Sequence, residues 1–442
     1  MPLKREMTTM NRQIELIIER ATEGEQLFID TLEQIRKNKD IEEWLYVANA
    51  YYRKGNYDQA DDWYRFIVKA GKSNPQCAQI GKYYEIGQGV QQDYSEALKW
   101  YCLAAESGDM EIQFKLGKFY KEGEVVAQDY STAIKWFSLA AEQGSGTAAL
   151  YLGDIYGEKE NYSEAAKWYL FAAERGEHRA QYNLGVLHYE GVVVEQDFVE
   201  AVKWYRLAAE SGYWPAHFNL AIAYQRGEGV KKDYKEALHW FRLPARMANA
   251  EAQCYIGAYY YWGVEGIPQD YAEAVKWFRQ AAKLGNAKAR YWLGRCYSQG
   301  KGVKVDRTEA TKWCRLAAEQ GLAAAQNDLG RRYENGISVE QDYSEATKWY
   351  RLAAEQGLAE AQYNLGICYD NGIGVEQDCS EATKWYRLAA EQGLAEAQYN
   401  LGHCYYNGIG VEQDYSEAAK WYRLAAEQGD EEAIKALKEL DK

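Results

Sequence analysis

The side chains able to do chemistry in this 442-residue chain are few and do not converge. Its five histidines, His178, His188, His217, His239 and His403, share no spacing that would gather nitrogen ligands on one face. No C-x-x-C pair, H-E-x-x-H helix or phosphate-cradling G-x-x-x-x-G-K-[ST] loop occurs. Asp370-Asn371-Gly372 begins like a calcium loop but lacks the remaining oxygen ligands. Three of the eight cysteines, Cys296, Cys368 and Cys404, recur in one helical slot, where a free thiol serves as a small apolar filler. Cys77, Cys102, Cys254, Cys314 and Cys379 form no repeating pairs, so reduced core thiols are expected. No catalytic group, metal or cofactor is expected. What remains is the chemistry of recognition, cations that can meet carboxylates and rings that give rigid apolar contacts.

The elements that must position these groups are set by a ladder of tryptophans. Trp63, Trp100, Trp136, Trp168, Trp204, Trp240, Trp277, Trp313, Trp349, Trp385 and Trp421 are separated by 32 to 37 residues, and most steps are 36. A period sustained over nearly the whole chain means stacked supersecondary units, not one closed core. In the unit 358–393, Ala361, Leu365, Cys368 and Tyr369 follow helical spacing, and so do Ala382, Trp385, Tyr386 and Ala389. Two amphipathic helices per unit are predicted, A and B, with Gly372 ending A and Asp378 capping B. Glu381, three residues after Asp378, completes the pattern of a capping box.

The cap slot holds Asp or Asn in every unit, from Asn56 to Asp414, and an alanine follows four residues later. In mid-helix A nine units carry glycine, as at Gly366 and Gly402. Glycine there costs about 1 kcal/mol relative to alanine, so the helices are expected to cross closely, Gly366 against Ala382. The tryptophan would fill the wider space further along helix B. On helix B the cations Lys384 and Arg387 are expected to pair with Glu381 and Glu391 on a solvated face.

The motifs A-x-x-x-L-G-x-x-Y, G-x-G-V (Gly372–Val375, Gly408–Val411) and D-Y-x-E-A-x-K-W-Y-x-x-A-A (Asp342–Ala354) resemble the Sel1-like repeat, a longer relative of the tetratricopeptide repeat. The resemblance implies an all-α fold, a right-handed α-solenoid of eleven antiparallel helix pairs with terminal capping helices. It divides the chain into a capping region at 1–40, a tetratricopeptide-like unit at 41–73, ten Sel1-like repeats at 74–430 and a capping helix at 431–442. Related tetratricopeptide repeats bind partners on the concave side, along rows of helix A counted from the mid-helix glycine. Carried onto this chain, those rows supply Lys82, Lys118, Lys121, Arg295, Arg331, Tyr363, Ile367, Asp370, Tyr399, His403 and Tyr406. The units 358–393 and 394–429 differ at four positions, two of them on these rows (Ile367 against His403, Asp370 against Tyr406).

The formal net charge of −14 argues against nucleic-acid binding, which needs Lys/Arg tracks. No apolar run reaches the roughly 20 residues of a membrane span, and the start has no apolar signal core. A cytoplasmic monomer is expected. One segment is irregular, with Ala221 for glycine, Pro244 late in a B helix, Asn249 in place of the terminal glycine, and an insertion near Gly266-Ile267-Pro268. The functional reading is a non-catalytic scaffold binding a protein or peptide. The alternative is a hydrolase or small-molecule binder of β-lactam type, which the cysteine-rich branch of the family suggests.

Overall fold

The computed structural model describes residues 2–38, 40–69, 77–87, 91–193 and 195–440. The expected boundary at 73/74 and the last two residues of the closing segment lie outside the described residues. Twenty-five helices are present among the described residues, and no β-strand beyond an isolated bridge, Val264 with Ile267. Helices Pro2–Thr22 and Gln26–Lys37 come first, joined at Gly24, which takes φ +88°. Eleven A–B pairs follow, from Ile41–Arg53 with Tyr57–Lys69 to Ala395–Asn407 with Tyr415–Glu427. Glu431–Leu440 closes the series. The chain divides into two compact units, residues 1–211 and 212–442, and each is an α-solenoid of consecutively packed pairs.

Local chemistry explains the helix starts. Asp378 adopts extended backbone and its carboxylate accepts from the N–H groups of Ser380 and Glu381, at 2.9 and 3.0 Å. The capping box is not completed. The Asp378 N–H donates instead to the Tyr369 carbonyl of the preceding helix, and Glu381 turns to Lys384. Gly372 ends the A helix in the left-handed region, φ +67°, where its N–H reaches the Cys368 carbonyl.

The crossing of A and B differs from expectation in one respect. A methyl group built on Gly366 would lie 2.6 Å from ring atoms of Tyr386, so it is this ring, not Ala382, that occupies the glycine's space. Tyr101, Phe137, Tyr169, Tyr205, Phe278, Tyr350 and Tyr422 cover seven of the eight other mid-helix glycines likewise. The alanine contributes its carbonyl, which would stand 3.1 Å from such a methyl at Gly330 and 3.0 Å at Gly294, where Cys314 replaces the ring. The tryptophans sit between repeats. Trp385 packs on the core formed by Tyr350, Ala353, Ala361 and Leu365 of the preceding repeat junction.

A buried glutamine ties six of the junctions, at Gln113, Gln181, Gln253, Gln326, Gln362 and Gln398. Gln362 donates to the Ala354 carbonyl at the end of the previous B helix, 3.2 Å away, and Gln392 donates to Gln362 at 2.8 Å. The same pair of bonds recurs at Gln326 with Gln356 and at Gln398 with Gln428. These bonds satisfy carbonyls that a helix end leaves without partners. At the amino-terminal end, Ile14 and Ile18 are buried with Val47 and Ala48, and the Trp44 indole donates to Ile35 at 2.6 Å. The first helices therefore cover the apolar face of the first pair.

In the irregular segment the left-handed residue is Ala248, φ +60°, and not Asn249. Asn249 caps the next helix by accepting from the Ala252 N–H at 2.8 Å. Pro244 lies inside Tyr234–Arg246, which continues past it to its end. None of the eight cysteines forms a disulfide, and six are buried.

Gly366→Ala tests the crossing. Alanine is the better helix former by about 1 kcal/mol, but its methyl must displace a ring only 1% exposed. Overpacking of this kind costs about 1–3 kcal/mol, so a lower midpoint of thermal unfolding is expected; a midpoint at or above the parent's would refute the packing.

A second expectation concerns alkaline pH. Burial pushes the phenols of Tyr101, Tyr350 and Tyr386 above the ordinary 10, pushes Tyr84 to about 12, and pushes the thiols of Cys314 and Cys404 from 9 to about 11. The fold thus holds the neutral forms, while the unfolded chain ionises from pH 9 upward. Stability is fully present below that pH and is lost as pH rises towards 12. Thermal melts by circular dichroism should fall between pH 8 and pH 10.5, and equal midpoints would contradict this.

Candidate functional site

Three successive A helices of the second unit, Ala250–Trp262, Ala287–Gln299 and Ala323–Glu334, carry the most distinctive surface. Arg295, Arg307, Arg331 and Arg332 line one cavity of about 730 Å³, together with Asp328 and Ile337. Four guanidiniums thus face a single carboxylate, in a chain whose net charge is −14. Arg295 lies over the rings of Trp292 and Tyr291, at 5.3 and 5.9 Å. Arg331 stands 3.5 Å from Asp328, and Arg332 donates to the Thr311 hydroxyl at 2.9 Å. Burial pushes the Tyr291 phenol up to about 12, which keeps it neutral beside Arg295. Such a cavity can hold carboxylates through charge-assisted, bidentate hydrogen bonds.

Two departures from the repeat build it. The slot two residues beyond the mid-helix glycine is Cys296, Cys368 and Cys404 in three other units, and here it is Arg332. The loop slot held by Gly302, Gly374 and Gly410 is here Ser338. In the regular repeats this glycine lies directly on the start of the preceding B helix. A methyl on Gly374 would overlap the Tyr343 carbonyl, and Thr347 donates to the neighbouring Ile373 carbonyl at 3.0 Å. Thr383 latches Ile409 in the same way at 3.1 Å. At Ser338 a side chain occupies the slot at φ +57°, and the corresponding Thr311–Ile337 bond lengthens to 3.4 Å. The loop stands off the helix start, and the space beside Ile337 and Arg307 belongs to the cavity.

A groove of about 390 Å³ lies next to it, between Ala250–Trp262 and Ala287–Gln299. Tyr255, Ala258, Trp262 and Trp292 supply apolar walls, and Glu251 and Lys288 balance each other in charge. The two indoles meet edge to face, centroids 4.6 Å apart, and Trp262 is half exposed. Burial pushes the Cys254 thiol in this groove up to about 12.

Of the residues expected from sequence, Arg295 and Arg331 are brought together by this cavity. The lysine group in the first unit is compensated: Lys118 pairs with Glu122 at 3.5 Å, and Lys121 with Glu158 at 3.2 Å while lying over Tyr151. Lys82 is exposed. Tyr363 packs on Tyr386 and Tyr399 on Tyr422, at 5.9 and 5.7 Å, and both tyrosines with Ile367 are partly buried. Asp370 accepts from the Tyr386 hydroxyl at 3.3 Å. Tyr406 meets Tyr415 edge to face, and His403 is exposed beside Tyr399. On helix B, Lys384 pairs with Glu381 as expected, but Arg387 donates to the Tyr405 hydroxyl of the next repeat at 2.7 Å. Arg307, Arg332, Trp262 and Trp292 were not anticipated, although both tryptophans stand outside the ladder. Among the described residues no group of three or more His, Cys, Asp or Glu could hold a metal ion.

Ser338→Gly should let the loop settle onto the B helix. Relief of a left-handed non-glycine residue is worth about 1–2 kcal/mol, so the unfolding midpoint should rise. A crystal structure of the variant should show the Thr311–Ile337 bond shortened and the cavity reduced. A lower midpoint with an unchanged cavity would refute the latch.

The Sel1 repeat family matches ten segments of the chain, residues 77–109, 111–145, 146–177, 178–213, 214–249, 250–286, 287–322, 323–358, 359–394 and 395–430. Among solved structures the chain is similar to c5321, a protective antigen present in uropathogenic Escherichia coli strains that displays an SLR fold. The two are 35% identical over 93% of this chain and 90% of that one, with a TM-score of 0.76. It is also similar to a Sel1 repeat protein from Oxalobacter formigenes, 32% identical over 75% of this chain and 93% of that one, with a TM-score of 0.58. No curated protein matches. With ten matched repeats, the covering helices at the amino-terminal end and the paired-helix stack, the chain belongs to the Sel1 repeat family.

Proposed function

We propose that this protein is a non-catalytic scaffold that binds an acidic segment of a protein partner along the A helices of its second unit. The single observation that carries the reading is the gathering of Arg295, Arg307, Arg331 and Arg332 around one cavity in an acidic chain. Membership of a family whose members commonly act as interaction scaffolds supports it. Packing alone does not call for four guanidiniums on one lining, since every other unit fills the Arg332 slot with an apolar or aromatic side chain. Like charges held together raise the field at the site, which favours and steers an anionic partner. A reducing, cytoplasmic setting fits eight cysteines that form no disulfide.

Affinity capture from the native cell tests the reading with three forms of the chain. The parent protein and a K348E/K384E control should recover the same partner, since those lysines are exposed on helix B and pair only with Glu345 and Glu381. The R295E/R331E form should lose it while keeping its helical circular dichroism. Losing a charged anchor commonly costs about 2 kcal/mol or more, over tenfold in affinity. Equal recovery by R295E/R331E, or loss confined to the helix B control, would overturn the assignment.

A further inference from the structure

We infer that the partner segment is extended and bipartite, with a phenylalanine- or leucine-sized side chain seated in the tryptophan groove and carboxylates about three residues away held in the arginine cavity. This rests on the acidic-partner reading above and specifies what that partner must look like.

The two sites share a wall. Trp292 lines the groove on one side, and its ring carries the Arg295 guanidinium, which lines the cavity on the other. A single segment crossing Ala287–Gln299 therefore meets both without a gap. The groove offers rings and two alanines, with Glu251 and Lys288 cancelling, so it favours an uncharged bulky side chain. The cavity offers four guanidiniums against Asp328 alone, so it favours carboxylates. Charge complementarity thus fixes which end of the motif goes where. The groove lies between the first and second of the three A helices, and the cavity lies on the second and third. Packed helices stand about 8–10 Å apart, and an extended chain advances about 3.3 Å per residue. The two anchors are then separated by about three residues. Trp262, half exposed at the groove's edge, supplies the rigid ring that a hot-spot contact requires.

Labelled synthetic peptides and the full chain test this by fluorescence anisotropy. The series keeps one phenylalanine and one Asp-Glu pair, varies the number of residues between them, and includes peptides lacking either anchor. Affinity should peak when about three residues separate the anchors. It should fall about tenfold or more when the phenylalanine is removed. Trp262→Ala should erase the advantage of the phenylalanine and leave binding of the acid-only peptide unchanged, whereas Arg295→Glu should weaken both. Equal affinity for peptides with and without the phenylalanine, or no dependence on spacing, would overturn the bipartite motif while leaving the acidic-partner reading intact. Failure of every acidic peptide to bind would overturn both. Sedimentation of the chain alone provides the remaining arm: self-association abolished by Trp262→Ala would identify the occupant as a second copy and overturn the inference.

Discussion

In eight of the eleven helix pairs the spacing rests on one contact, the flat ring of a tyrosine or phenylalanine on helix B laid against a glycine of helix A. The missing methyl group lets the helices approach until the ring is enclosed, as at Gly366 and Tyr386. The cost of a glycine within a helix is offset by burial of a whole aromatic side chain. Where that contact is made it sets the pair's separation, and with it where the A helix presents its outer row. At Gly294 the ring is absent and Cys314 stands in its place, so backbone meets backbone directly. This pair flanks the arginine cavity, and the surface that departs most from the repeat is built on a crossing that also departs.

Between pairs the order comes from a different source. Trp385 and its equivalents lie over the junction with the preceding repeat, and buried glutamines satisfy carbonyls that the B helices leave open. Arginines on helix B act as staples across repeats, Arg351 to Tyr369 and Arg387 to Tyr405, each at 2.7 Å. A cation on the outer face of one of these helices is therefore not evidence of a free charge. The same holds in the first unit, where Lys121 is held by a carboxylate and a ring contributed by the following repeat.

What was legible in the sequence was whatever repeats at a fixed column. The Asp caps, the left-handed glycines and the two helices per unit are local and recur along the chain, so Asp378 and Gly372 behave as their neighbours predict. The identity of the group facing Gly366 was not legible, because the alanine and tyrosine columns are both periodic and lie on adjacent faces of helix B. Choosing between them requires the crossing angle. Pairing was also hidden, since Lys121 and Glu158 lie a full repeat apart and no short-range pattern joins them. Arg295 and Arg331 were visible as a basic pair, but the depth of their cavity depends on Arg332 and Ser338, which are changes within single columns. Such changes are informative when they coincide in one repeat. The irregularity around Pro244 and Asn249 is more conspicuous in the sequence, yet the helix there runs past the proline to its end.

The bonds that join repeats run at fixed offsets along the chain: 8 and 30 residues for the glutamines, 18 for the arginine staples and 26 for the threonine latches. Among the repeats that share these residues, a shift by one whole period hands each such donor an equivalent acceptor. The units 358–393 and 394–429, which differ at four positions, show how nearly one period can stand in for the next. Thr383 latches the loop of the following repeat, and the equivalent position one period on is Ala419.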